Sequence, residues 1–104
     1  MGMRVEVKVK PTLDPDVHRF ETNRWLTGMG GKLYLAEKFR PKGAPKPRQG
    51  TLESKLLEIG GVVSVYVYGS TVTVSKEPER SWDDLEPQIK EVLENAFSYY
   101  SRAS

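Results

Sequence analysis

The sequence predicts an α+β two-layer sandwich, a mostly antiparallel sheet with two helices on one face, in the order βββαββα. Two observations carry this. Valines alternate with charged or polar residues in RVEVKVK, and again on both sides of Gly69-Ser70 in VVSVYVYGSTVTVSK, the period of strands with one buried face. Leu52, Leu56 and Ile59, and later Leu85, Ile89, Val92 and Leu93, recur instead at helical spacing. With no internal repeat, the 104 residues read as one domain, 1–104. A chain this long buries roughly 60 to 68% of its unfolded surface, enough for one modest core.

Each element follows from local chemistry. Val5, Val7 and Val9 alternate with Arg4, Glu6, Lys8 and Lys10 in a first strand, which ends at Pro11 because proline has no N–H for the ladder. PTLDPD is a turn in which Asp14 and Asp16 accept local backbone hydrogen bonds and Pro15 fixes φ. VHRFETNRWL continues as a second strand, with Val17, Arg19 and Glu21 on one face and His18, Phe20 and Thr22 on the other; Phe20 favours burial of the second. A glycine-rich turn, TGMGG, leads to a third strand at Leu33-Tyr34-Leu35. From about residue 37 to 50 the prolines Pro41, Pro45 and Pro47 mix with Lys38, Arg40, Lys42, Lys46 and Arg48, a composition expected to form a mobile loop.

Gly50 or Thr51 then caps a helix, and Gly60-Gly61 stops it by supplying left-handed backbone. Gly69-Ser70 suits a type II′ or I′ hairpin. That turn pairs Tyr68 with Thr71, Val67 with Val72, Tyr66 with Thr73 and Val65 with Val74. Val63, Val65, Val67, Val72 and Val74 thereby share an apolar face, while Ser64, Tyr66, Tyr68, Thr71, Thr73 and Ser75 share a wetter one. Ser81 caps the last helix, whose stripe is Trp82, Leu85, Ile89, Val92, Leu93, Ala96 and Tyr100. Pro87 is anomalous beyond a first turn, and implies either a kink or a separate turn before it.

Composition excludes several functions. No cysteine is present, which removes disulfides, thiolate nucleophiles and Cys-ligated zinc or iron–sulfur clusters from these residues. No apolar run approaches the roughly 20 residues of a membrane span. MGMRVEVKVK lacks the apolar core of a secretory signal, so the expected location is the cytoplasm. Basic residues number 16 and acidic ones 14, too even a balance to imply nucleic acid by itself.

Individual candidates are weighed against ordinary structural roles. His18 is the sole histidine and lacks the partners of a metal site or triad. Asp14 and Asp16 could serve acid–base chemistry or a hard cation, but Asp-Pro-Asp is also ordinary turn chemistry. An enzyme would need these three in one cleft. Gly28, Gly30 and Gly31 lack the helix and Walker lysine of a phosphate loop. Lys38, Arg40, Lys42, Lys46 and Arg48, with Tyr34 and Phe39 nearby, form the alternative nucleic-acid surface, opposed by the reading of a solvated loop. Tyr66 and Tyr68 could form a stacking platform or simply strengthen cross-strand pairs, and Trp82 reads as a core anchor.

Three blocks, TLDPDVHRF, TLESKLLEIGGVVSVYVYGSTVTVSK and WDDLEPQI, resemble in order the TPNPNxxKF, PLAxxLFxIxGVxxVFxxxxFITVTK and WxELKPxI segments of the N-terminal domain of NifU-like Nfu iron–sulfur cluster scaffold proteins. Together they cover most of the chain. The family pattern also places a proline where Pro87 stands. Asp14 and Asp16 replace the family's usual asparagines, Leu13 a proline and Thr71 an aromatic residue, and the basic loop is longer than usual. In full-length Nfu proteins a separate Cys-x-x-Cys domain binds the cluster. The resemblance therefore implies a stand-alone accessory module, non-enzymatic and without metal or cofactor. Its implied partners are proteins of cluster assembly, either a separate Cys-x-x-Cys scaffold or recipient apoproteins; nucleic acid at the basic loop stays the disfavoured alternative, and no membrane partner is expected. The candidate contacts are Asp14, Asp16, His18 and Arg19, in the segment that resembles TPNPNxxKF.

Overall fold

The computed structural model describes residues 6–23 and 32–103, with side chains as far as Asn95. Strand β1 is Val7–Pro11, β2 Val17–Thr22 and β3 Lys32–Leu35; helix α1 is Leu52–Leu57; β4 is Val62–Tyr68, β5 Thr71–Lys76, and helix α2 Trp82–Ala103. The order is the expected one. Val5, the TGMGG turn with Gly28, Gly30 and Gly31, and the side chains of Ala96 and Tyr100 lie outside the described residues.

The β4–β5 hairpin has the register that its alternation dictates: Tyr68 opposes Thr71, Val67 Val72, Tyr66 Thr73 and Val65 Val74. Gly69 takes φ +61, and among the described residues only glycines have positive φ. Left-handed backbone at the first central position alone is the type II′ form. At its far end the hairpin departs from simple alternation. Val62 opposes Lys76 and Ser64 opposes Ser75, so Val63 is the extra residue of a bulge. The bulge turns Val62 into the core in place of Val63, and Val63 offers its carbonyl to the Ala36 N–H at 2.8 Å.

The sheet is antiparallel throughout, with strand order β1-β2-β5-β4-β3. β5 is therefore central, between β2 and its own hairpin partner. One sheet face contributes Phe20, Val65, Val67, Val72 and Val74 to the core, and the helices close it with Leu56, Leu85, Ile89 and Leu93. A fully buried side chain of this kind contributes about 1.5–3 kcal/mol. Phe20 thus settles which face of β2 is inside.

The helix boundaries follow from their caps. The Thr51 hydroxyl accepts from the Ser54 N–H at 3.3 Å at the start of α1. The helix ends at Leu57, earlier than the double glycine, and Ile59 packs on the core from the turn beyond it. Only Gly61 is left-handed, with φ +102, in a turn closed by the Val62 N–H on the Ile59 carbonyl. Ser81 accepts from the Asp83 N–H at 3.1 Å at the start of α2. From Trp82 onward α2 is one helix, with no separate first turn. Pro87 cannot serve the carbonyl of Asp83, and both residues are exposed, so water can replace the missing bond. Among the described residues no helix is long and apolar enough to cross a membrane.

Candidate functional site

The turn between β1 and β2 is built from its own side chains. The Asp14 carboxylate accepts from the Asp16 N–H at 2.9 Å, and the Asp14 carbonyl accepts from the Val17 N–H at 3.0 Å. Thr12 braces the inside, accepting from the Asp14 N–H at 3.1 Å and donating to the Val17 carbonyl at 2.8 Å. Aspartate is used here as a local hydrogen-bond acceptor, as the turn chemistry requires. Leu13 at the tip is fully exposed.

The first turn of α2 fastens this loop. Trp82 donates its indole N–H to the Pro15 carbonyl at 2.8 Å, and its ring stacks on His18 at 4.0 Å with only 6° between the planes. Phe20 meets the same indole at 6.2 Å, tilted by 54°. One turn further along α2, the Glu86 carboxylate lies 3.0 Å from His18 Nδ1. The Lys76 ammonium, with its side chain 7% exposed, reaches the Asp16 carboxylate at 2.8 Å and lies 5.8 Å from the indole ring. The same pair of residues is also joined through the backbone, Lys76 N–H to Asp16 carbonyl at 2.9 Å.

These contacts decide what the cluster can do. Asp14 caps its own turn, Asp16 neutralises Lys76, and His18 is held between Glu86 and Trp82. The three candidates for acid–base chemistry are thus committed to three different partners. Among the described residues no group of three or more His, Asp or Glu could hold a metal ion. The arrangement is a latch that fixes a loop to a helix.

Arg19, the fourth candidate, points the other way. Residues of β2 alternate between faces, so Arg19 lies on the sheet face opposite the one that the described helices cover. There it lines an open depression of about 300 Å³ with Tyr66, Tyr68, Thr71 and Thr73. Pairing registers set Lys10, Arg19, Thr73, Tyr66 and Leu33 in one row across all the strands. The rings of Tyr66 and Tyr68 are nearly parallel, 6.4 Å apart. They and Leu33 are exposed at 37%, 57% and 55%.

The basic stretch is partly absorbed by the fold. Glu37–Phe39 form a 3-10 turn where only loop was expected. Arg40 donates from Nε and from a terminal nitrogen to the Leu35 carbonyl, at 3.2 and 3.0 Å, and Lys38 pairs with Glu77 at 3.4 Å. Lys42, Lys46 and Arg48 are exposed.

The family model for the N-terminal region of Nfu/NifU scaffold proteins matches residues 7–99. The chain belongs to the Nfu/NifU N-terminal family. This places the Nfu-type chain in the context of iron–sulfur cluster assembly and gives no support to nucleic-acid binding. None of the curated proteins matches it significantly in sequence. Among solved structures, the crystal structure of SAV1430 from Staphylococcus aureus superposes with a TM-score of 0.68 at 18% identity, covering 88% of this chain and 100% of that one. The solution structure of SAV1430 gives 0.61 at 18% identity over 88% and 91% of the two chains. SeR13 from Staphylococcus epidermidis gives 0.55 at 21% identity over 88% and 98%. Likenesses this remote speak to the fold alone. In this Nfu-type chain, the TLDPDVHRF and WDDLEPQI blocks meet in the latch, and Lys76 at the end of the middle block completes it.

Glu86 and Lys76 were not singled out by sequence reasoning, because each is remote from its partner along the chain. The only available signal was that His18 shares a strand face with Phe20, and that a helix beginning at Trp82 must cover that face.

Proposed function

We propose that the chain is a non-enzymatic accessory module of iron–sulfur cluster assembly or delivery, which docks on proteins of that machinery and does not itself hold the cluster. One observation carries the reading: the family match over residues 7–99 falls in a sequence without cysteine. Iron–sulfur clusters are held chiefly by Cys thiolates. In this reading the cluster is cargo handled by the partner, either a scaffold bearing Cys-x-x-Cys or a recipient apoprotein.

Asp14 and Arg19, both exposed, are assigned direct contact with the partner. Asp16 and His18 act through the latch, by holding the loop in place. Affinity purification from a lysate of the source cell tests the proposal. Enrichment of a cluster scaffold, carrier or cluster-containing recipient is expected, and enrichment of unrelated proteins alone overturns it. Anaerobic reconstitution of the purified chain with iron and sulfide should leave no bound cluster.

A further inference from the structure

Resting on the reading of this chain as a docking module, we infer that its open sheet face receives an amphipathic helix of a partner protein, one that carries carboxylates beside an apolar stripe. The ordered row across the sheet is the starting observation. It runs from Lys10 and Arg19 through the Thr73 hydroxyl to Tyr66 and Leu33, cationic at one end and apolar at the other.

Lys10 and Arg19 stand directly opposite each other on β1 and β2. Like charges so placed destabilise a sheet, and an anion bound between them relieves the repulsion. Lys8 adds a third cation in the neighbouring row, against the acids Glu21, opposite it, and Glu6, at the start of the same strand face. At the other end, Tyr66 and Tyr68 present rigid, amphipathic rings, the kind of side chain that anchors protein interfaces.

The backbone narrows the occupant further. Main-chain groups of β2, β5 and β4 are paired on both sides, so the face offers side chains only. An extended partner would leave its own N–H and C=O groups unserved, whereas a helix satisfies them internally. Arg19 and Tyr66 are two strands apart, about 10 Å at the usual spacing, which matches about two turns of helix. A carboxylate and an apolar residue at i and i+7 therefore reach both ends. Single-stranded nucleic acid fits less well, because it needs cations tracking alongside the stacking rings rather than gathered at one end.

Titration of the full chain with a helical peptide of about 18 residues, carrying Glu and Leu at that spacing, tests the inference by amide chemical-shift mapping. Expected are shifts centred on Lys10, Arg19, Tyr66, Thr71 and Thr73, and affinity reduced about tenfold or more by Arg19→Glu or Tyr66→Ser. A Lys-for-Glu peptide should bind at least about tenfold more weakly. No shifts on this face, tighter binding there of single-stranded oligothymidine, or self-association of the chain through this face overturns it. The affinity purification is run in parallel with the Arg19→Glu, Tyr66→Ser variant after its thermal unfolding is shown to be unchanged. Capture of assembly proteins by wild type and variant alike overturns this inference and leaves the docking reading standing. Capture by neither overturns the docking reading and this inference with it.

Discussion

Replacement of Trp82 tests the latch most directly, because its ring and its N–H make separable contributions. Trp82→Phe keeps a ring against His18 but removes the hydrogen bond to the Pro15 carbonyl. A typical intramolecular hydrogen bond contributes about 0.5–1.5 kcal/mol net, and this one is solvent-accessible, so the expected loss is about 0.5–1 kcal/mol. Trp82→Ala also removes the stacking, the contact with Phe20 and the ring beneath the Lys76 ammonium. Truncation of a fully buried tryptophan costs about 3–5 kcal/mol, and Trp82 is only half-buried, so about 2–3 kcal/mol is expected.

For a chain of this size 1 kcal/mol moves Tm by about 4–8 °C. Thermal unfolding followed by circular dichroism therefore resolves both variants. Amide exchange adds the local readout. In Trp82→Phe the Asp16 and Val17 amides, which close the turn, should exchange faster while amides of β4 and β5 stay protected. If both variants unfold within about 0.5 kcal/mol of wild type, or if the turn keeps its protection in Trp82→Ala, the helix does not hold the loop and the latch is refuted.

Four further outcomes follow from local contacts. Gly61→Ala should cost about 1–3 kcal/mol, since its φ is +102 and an added Cβ would sit 2.9 Å from Arg80 Cγ. Gly60→Ala should stay within about 0.5 kcal/mol by urea unfolding, because its nearest neighbour is at 3.9 Å. Asp16→Ala should destabilise more than Lys76→Met, about 2–3 against about 1 kcal/mol, because the first strands a buried ammonium and the second leaves a carboxylate already one-third exposed; equal costs in urea unfolding would contradict this. Arg40→Lys should lower stability by about 1 kcal/mol, since an ammonium cannot reproduce the paired donation to Leu35, and a measured loss near zero would show that water serves that carbonyl as well.

The hairpin was legible because its information is local. A glycine in a two-residue turn and valines at every second position leave one register that buries them all. The Val63 bulge was not, since it depends on Ala36 approaching from a loop. Gly60-Gly61 showed where the chain turns, but only packing decides that α1 ends at Leu57 and that Gly61 alone is left-handed. Sheet order lies further out of reach. β2 joins β5 across two intervening strands, a helix and a loop, and a period-2 pattern names the buried face without naming the neighbour. For the same reason the row from Lys10 to Leu33 could not be seen in the sequence, although each member sits on a strand face that could.

The alternation of β2 divides the candidate residues into two kinds. His18 and Phe20 face the helices and are consumed in contacts with Trp82 of α2, while Asp16 is consumed in tying the turn to Lys76 at the end of β5. Arg19, between them, is delivered to the open face by the same geometry. The segments that carry the family resemblance are therefore largely occupied with each other, and substituting Asp16 or His18 perturbs folding before it perturbs recognition. Arg19 carries no such double role: it lines the open surface, and among the described residues those directly opposite it across the sheet are Lys10 and Thr73. Its substitution separates binding from stability: Arg19→Glu relieves the repulsion with Lys10, so the variant should unfold no earlier than wild type while losing its partner.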